Sequence, residues 1–139
     1  ADFHIEAKEA VKVEGNLLLL ERVVENLVSN SIRYKTEERV HIDIEVKKKG
    51  GLALLTLSDD GPGVPEEALG RLKEAFFRTD KARSRTDKGS GLGLSIVARA
   101  VHLMKGRVSF SSRKPHGLKV DIVLPLEDIH EKKDTDCGR

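Results

Sequence analysis

Apolar side chains recur along this chain with two periods, and each period predicts one kind of secondary structure. The helical period runs from residue 17 to about residue 34, without glycine or proline, and comprises Leu20, Val23, Val24, Leu27 and Val28. A short helix is predicted to begin at Pro65 and to end near Lys73. A further apolar helix is predicted to follow the glycine-rich residues 89–94 and to extend to about Met104.

Period-two alternation predicts the strands, which are residues 11–13, 40–46, 52–58, 107–111 and 118–124. Turns at residues 48–51 and 115–117 join the last four strands into two antiparallel hairpins. Helices and strands do not alternate strictly along the chain. We therefore predict an α+β fold, a two-layer α/β sandwich whose mixed, mostly antiparallel sheet is covered on one face by about three helices.

Composition narrows the class of protein. The 139 residues, 38% of them apolar, suffice for one domain with a hydrophobic core. A net charge of +2 and an aromatic content of 4% without tryptophan do not indicate a nucleic-acid partner. The single cysteine, Cys137, excludes an internal disulfide or a cysteine-based metal cluster. The longest apolar run, residues 17–20, is far shorter than the roughly 18 residues of a membrane span.

A sharp turn follows the predicted strand 52–58. The turn, Asp59-Asp60-Gly61-Pro62-Gly63, begins at a carboxylate and contains two glycines and a proline. These residue types are ordinary in any chain reversal, so a purely structural turn is one interpretation. A ligand-binding turn is the other, because glycines also permit close approach of a ligand to the backbone.

A polar face borders the apolar stripe of the first helix. At about 100° per residue, Asn26, Asn30 and Arg33 fall on one narrow face, with Tyr34 close by. Asparagine is a mediocre helix former, so two asparagines one turn apart call for an explanation. A solvated face, a structural hydrogen-bond network and a ligand site all remain open on spacing alone.

A polar segment and a second glycine cluster follow. Residues 78–88 contain one apolar side chain and are predicted to form a mobile loop, as functional lids and disordered surface loops both do. Residues 89–94, Gly-Ser-Gly-Leu-Gly-Leu, open a helix, where backbone amides can bind an anion. The cluster lacks the endings of the Walker A loop and of the dinucleotide fingerprint.

Four motifs in this order resemble the catalytic, ATP-binding domain of sensor histidine kinases, a Bergerat-type fold within the wider group of DNA gyrase B, MutL-type and heat-shock chaperone ATPases. The resemblance covers roughly residues 10–125. Residues 26–34 resemble the N box, residues 59–63 the first glycine box, residues 76–78 the F box and residues 89–94 the second glycine box. Each motif alone is weak, whereas four in the family's order are highly specific.

The resemblance implies a role for each matching residue. Asp59 would accept the exocyclic amine of adenine, while Gly61 and Gly63 let the backbone approach the base. Asn30 would be the ligand of Mg²⁺, and Asn26 would bond to phosphate oxygens or to metal-bound water. The resemblance implies that Asn26, Asn30 and Arg33 are the catalytic residues. The other nucleotide-binding residues that it implies are Arg33, Tyr34, Phe77, Arg78, Arg85, Gly89, Gly91, Leu92, Gly93 and Leu94.

The residue at position 26 distinguishes phosphoryl transfer from ATP hydrolysis within this group of proteins. The ATPase branches resemble one another in having a glutamate there, which acts as a general base on water, whereas this chain has Asn26. An amide cannot take a proton from water, so phosphoryl transfer to another nucleophile is favoured. Glu25 is rotated about 100° around the helix and is a poor substitute.

The resemblance also implies partners that lie outside this chain. The family's phospho-accepting histidine belongs to a dimerisation hairpin, and none of the five histidines here has that context. We therefore expect a monomeric catalytic domain over residues 1–126, a disordered polar tail over residues 127–139, and a fragment cut from a longer protein. The acceptor domain and, indirectly, a response regulator are the expected partners, and a cytoplasmic location in a membrane sensor is implied. A nucleotide-sensing module without transfer activity and a non-nucleotide interaction domain are the alternatives.

Overall fold

A five-stranded sheet with helices packed on one face forms the framework of the chain. The computed structural model describes residues 2–7, 17–33, 39–73 and 93–126. Its elements are β1 (Asp2–Ala7), α1 (Leu17–Arg33), β2 (His41–Lys49), β3 (Leu52–Asp59), a 3-10 helix (Glu66–Arg71), α2 (Gly93–Leu103), β4 (Arg107–Ser112) and β5 (Leu118–Pro125).

The sheet has the strand order β1-β2-β3-β5-β4. β1 pairs with β2 in parallel, and the other three pairs are antiparallel. The predicted α+β class with a mixed, mostly antiparallel sheet is therefore confirmed. Two α-helices and one 3-10 helix lie in the described part of the chain, which agrees with the expected three helical segments.

The core lies between the helices and one face of the sheet. Alternate residues of β5 are buried, namely Leu118, Val120, Ile122 and Leu124. Val23 and Leu27 of α1 and Val97 and Val101 of α2 belong to the same buried cluster. One face of each of the strands β2, β3, β4 and β5 therefore supplies apolar area to the helices, which is what period-two and helical spacing predict together.

Two turns need glycine, one for its backbone conformation and the other for lack of space. The β2–β3 hairpin turns at Gly50, whose φ is +63°, so Lys48 and Lys49 pair within the ladder and do not form the predicted turn. After α2, Gly106 donates its N–H to the carbonyl of Val101 at 2.9 Å. A Cβ on Gly106 would lie 2.4 Å from the Val123 carbonyl oxygen, so only glycine lets α2 end this close to β5.

The edge strand β1 is absent from the sequence prediction. Residues 2–7 alternate polar and apolar side chains, but Phe3 and Ile5 are 51% and 66% exposed, so this alternation does not face the core. Two interactions keep β1 in place. They are its parallel pairing with β2 and an ion pair between Asp2 and Arg39. The hydrogen bond from Arg39 lowers the pKa of the Asp2 carboxyl.

Other predictions concern segments that the structure leaves undescribed. The strand predicted at residues 11–13, the loop at residues 78–88 and the tail at residues 127–139 lie outside the described residues. The predicted short helix after Pro65 is described, and it forms 3-10 turns over Glu66–Arg71. Within the described residues, no helix combines the length and apolar character needed to cross a membrane.

We predict that Ile122→Ala destabilises the domain by about 2–5 kcal/mol, because a buried side chain is replaced by a cavity. Ile122 is 1% exposed, in the central strand pair of the sheet. Urea unfolding followed by circular dichroism measures the change. Leu103→Ala is the control, since Leu103 is 55% exposed and should change stability by less than about 0.5 kcal/mol. Equal effects of the two substitutions would contradict this description of the core.

Candidate functional site

The carboxylate of Asp59, the last residue of β3, is buried beneath the glycine turn. Only 7% of Asp59 is exposed, and its Oδ1 accepts the N–H of Gly61 at 2.9 Å and the N–H of Leu118 at 3.3 Å. Its Oδ2 accepts the hydroxyl of Ser31 at 2.7 Å. Burying a carboxylate is costly unless it is hydrogen-bonded, and these three donors meet that requirement.

Ser31 is a site residue to which the sequence analysis assigned no role. It lies on α1, 28 residues before Asp59, and is 7% exposed. The signal that could have found it is its position, since Val23, Leu27 and Ser31 are spaced four apart on the buried stripe. A polar residue at a core position needs a partner, and here that partner is the Asp59 carboxylate.

The turn after β3 packs against the tip of the β4–β5 hairpin. Gly63 has φ +73°, and a Cβ there would lie 2.9 Å from the carbonyl oxygen of Gly117. Gly117 has φ +125°, and a Cβ there would lie 1.8 Å from the carbonyl oxygen of Asp59. Both glycines are therefore required for the two backbones to touch.

The neighbouring carboxylate, that of Asp60, forms its hydrogen bonds elsewhere. Its Oδ1 accepts the N–H of His41 at 2.8 Å, while the Asp60 N–H donates to the His41 carbonyl at 3.2 Å. Asp60 therefore secures the start of β2, and Asp59 alone of this pair turns towards α1.

The two asparagines lie at the edge of the core, as predicted. Both are partly buried on α1. Asn26 Nδ2 donates to the carbonyl of Arg22, one turn earlier, at 2.7 Å. A Cβ on Gly93 would lie 3.5 Å from Asn26 Oδ1, so the first residue of α2 is next to this amide. The N-terminus of α2 and the asparagine face, 67 positions apart in the sequence numbering (93 − 26), therefore meet in the fold.

Three of the four motifs are thus brought to one end of the sheet. α1 touches Gly93 through Asn26 and touches Asp59 through Ser31, about 7.5 Å further along the helix axis. Arg33 is exposed at the end of α1, and Leu94 packs partly buried against the core. The remaining predicted site residues lie outside the described residues, namely Tyr34, Phe77, Arg78, Arg85, Gly89, Gly91 and Leu92.

Asn30 is the candidate metal ligand in the described part of the chain. Among the described residues, its side chain has no hydrogen-bond partner, and no group of three or more His, Cys, Asp or Glu side chains could hold a metal ion. Mg²⁺ usually keeps several waters and takes few protein ligands, so a single amide oxygen fits a magnesium ion that also binds phosphate oxygens.

A cavity of about 540 Å³ lies at the other end of α2. It is bounded by Lys73, His102, Arg107 and their apolar neighbours, and it includes none of the motif residues.

Comparison with known proteins agrees with the class that the motifs indicate. Residues 15–128 match the family described as histidine kinase-, DNA gyrase B-, and HSP90-like ATPase. The chain therefore belongs to this family of ATP-binding domains.

The similar proteins are sensor kinases. The sensor protein CutS of Streptomyces coelicolor is 36% identical over 119 residues, which cover 86% of this chain and 29% of that protein. The sensor histidine kinase CpxA of Escherichia coli is 39% identical over 112 residues, covering 81% of this chain and 24% of that protein. The chain thus spans less than a third of the length of these relatives.

Solved structures resemble the fold closely. The mycobacterial sensor histidine kinase MprB superposes with a TM-score of 0.80 at 29% identity, covering 90% of this chain and 83% of that one. The catalytic domain of the histidine kinase ThkA superposes with a TM-score of 0.75 at 28% identity, covering 89% and 79%. The Bergerat-type fold predicted from the motifs is confirmed by these similarities.

We predict that Gly117→Ala destabilises the domain by about 3 kcal/mol or more, because the new Cβ would overlap the Asp59 carbonyl in a conformation that L-residues avoid. Thermal unfolding without ligand measures the loss. Gly51→Ala is the matched control, since no atom lies within 4 Å of a Cβ built there. A Gly117→Ala protein as stable as the control would show that the two turns do not touch.

Proposed function

We propose that this chain is the catalytic domain of a sensor histidine kinase, which binds Mg·ATP and transfers the γ-phosphoryl group to a histidine on another domain. The observation that carries the proposal is that α1, which bears one motif, contacts two others. It contacts Asp59 through Ser31, and Gly93 through Asn26. Membership of the ATPase family and similarity to sensor kinases support it.

The hydrogen bonds of Asp59 support adenine binding at the end of β3. An ionised carboxylate has about four acceptor positions. The described residues occupy two on Oδ1 and one on Oδ2, which leaves one acceptor position on Oδ2. A remaining acceptor suits the exocyclic amine of adenine and opposes the carbonyl that guanine has at the same place. We propose that Gly61 and Gly63 let the backbone of the turn approach the base.

We propose that the asparagine face of α1 and the start of α2 hold the phosphates. Asn30 is proposed as the protein ligand of Mg²⁺, which when bound neutralises phosphate charge. Asn26 would donate to or accept from phosphate oxygens and metal-bound water, and Arg33 would add positive charge. Gly93 begins α2, whose N-terminal amides and dipole favour an anion.

The residue at position 26 favours transfer over hydrolysis. An amide has no basic lone pair with which to take a proton from water, and Asn26 already donates to the Arg22 carbonyl. A nucleophilic histidine needs no such base, because neutral imidazole carries its own lone pair. The contributions required of this domain are then to position the γ-phosphoryl group and to stabilise its charge during transfer.

The partners and location belong to the longer protein that the relatives imply. CutS and CpxA extend well beyond the matched segment. We propose that the acceptor histidine, the dimer contacts and the link to a response regulator lie in such additional segments. This domain would then be monomeric by itself and would act on the cytoplasmic side of a membrane sensor.

We predict that Asp59→Asn weakens ATP binding about 10- to 150-fold, the equivalent of about 1.5–3 kcal/mol for a hydrogen bond to a charged group. The amide would turn an N–H towards the adenine amine, so the preference for ATP over GTP should also shrink. Isothermal titration calorimetry measures both affinities.

Asp60→Asn is the matched control for this substitution, because the Asp60 carboxylate bonds to His41 on β2 and not to the site. Equal binding of ATP and GTP by the unaltered domain would remove the basis for the role of Asp59.

We predict that Asn30→Ala removes the magnesium-dependent part of ATP affinity while the domain stays folded. Affinity is measured with Mg²⁺ and with EDTA, and the melting temperature without nucleotide serves as the check on folding. Ser29→Ala is the control, since Ser29 is exposed on the same helix. If Asn30→Ala retained the full effect of Mg²⁺, Asn30 would not be the metal ligand.

Transfer is tested with γ-labelled ATP and the separately produced acceptor domain of the protein that contains this chain. We expect an acid-labile, base-stable phosphohistidine on the acceptor, and little phosphate release by the catalytic domain alone. Saturation with nucleotide without any transfer would favour a nucleotide-sensing module. Hydrolysis at the rate of a dedicated ATPase would contradict the argument from Asn26.

A further inference from the structure

A histidine outside the four motifs contacts the glycine turn. His116 Nδ1 lies 2.9 Å from the carbonyl oxygen of Gly61, a contact across 55 residues that joins the β4–β5 hairpin tip to the turn after β3. A carbonyl oxygen can only accept a hydrogen bond, so Nδ1 carries the proton and donates it.

This contact closes a ring of interactions around Asp59 Oδ1. Gly61, two residues after Asp59, and Leu118, two residues after His116, both donate their N–H groups to that oxygen. The Gly117 backbone lies directly on the Asp59 carbonyl, where no side chain fits. The His116 ring therefore bridges the two segments whose amides bind Oδ1.

We propose that His116 is a positioning residue that sets the preference for the 6-amino group of the purine base. It acts through Gly61: while the Gly61 carbonyl is held, the glycine cannot use its wide conformational freedom, and its N–H stays on Oδ1. Both acceptor positions of Asp59 Oδ1 then remain occupied, and the free acceptor position stays on Oδ2. This inference rests on the proposed function, in which Asp59 binds adenine.

Without the bond from His116, the turn has fewer restraints. Gly61 is flanked by Asp60 and Pro62, and in the described residues the Gly61 carbonyl has no other hydrogen bond. Rotation of the glycine would withdraw its N–H from Oδ1 and allow the carboxylate to turn. The expected consequence is a loss of base discrimination, with little loss of global stability, because His116 itself is exposed.

Two substitutions separate the hydrogen bond from the bulk of the ring. In His116→Asn, the side-chain amide can place a donor near the position of Nδ1, whereas His116→Leu has similar size and no donor. Lys114→Ala, at an exposed residue of the same hairpin tip, is the control for the loop. The probes are Mg·ATP and Mg·ITP, since inosine has a carbonyl where adenosine has the 6-amino group.

We expect His116→Leu to lower ATP affinity about 3- to 10-fold with little change in ITP affinity, as one neutral hydrogen bond would. His116→Asn should restore most of the preference for ATP, and Lys114→Ala should bind as the unaltered domain does. Melting temperatures without nucleotide should agree within a few degrees. Faster hydrogen exchange of the Gly61 amide in His116→Leu, by NMR, is the second expected result.

An ATP-to-ITP affinity ratio in His116→Leu equal to that of the unaltered domain overturns the inference, and so does a loss that His116→Asn does not restore. An unaltered domain that binds no adenine nucleotide, or binds ATP and ITP equally, would instead overturn the proposed function. The two failures are therefore distinguishable by the measurement on the unaltered domain.

Discussion

The buried carboxylate of Asp59 is the interaction on which the arrangement of this end of the domain depends. A charge removed from water has to be hydrogen-bonded, and the three donors described come from three separate parts of the chain: Ser31 on α1, Gly61 in the turn and Leu118 at the start of β5. The position of the helix, the conformation of the turn and the placement of the hairpin are therefore mutually dependent. Moving any one of them would leave part of the carboxylate without a partner.

Sheet topology explains why those three parts meet. β3 and β5 are antiparallel neighbours, with Ser58 opposite Lys119, so the end of β3 lies beside the beginning of β5. Gly63 and Gly117 then let the two loops touch backbone to backbone. On α1, Ser31 bonds to Asp59 while Asn26, earlier on the helix, lies next to Gly93. One helix therefore contacts both glycine boxes of the proposed site.

Much of the fold was predictable because its elements carry strong periodic patterns. α1, β2, β3, β4 and β5 show helical or alternating spacing, and their observed limits lie within a few residues of the predicted ones. β1 was missed although residues 2–7 alternate polar and apolar side chains, since the pairing that defines it is with a strand 39 positions away (41 − 2). The motif residues were predicted from the sequence by their types and their order, and the structure places Asn26 next to Gly93 and Asp59 next to Ser31. Ser31 was assigned no role, although its place on the buried stripe of α1 marks it as a polar residue that needs a partner. His116 was assigned none because nothing local distinguishes a histidine in a turn.

By itself, the sequence determined most of the described helices and strands, the family, and the chemical types available at positions 26, 30 and 59, because periodicity and residue type are local properties. Only the tertiary structure decided which donors surround Asp59, which oxygen of its carboxylate keeps a free position, and that Asn26 lies against Gly93. Apart from the Gly61 donor, which is two residues from Asp59, these are contacts between residues 28 to 67 positions apart, with 28 separating Ser31 from Asp59 and 67 being 93 − 26. Chain spacing carries no information about such contacts until strands pair and helices pack.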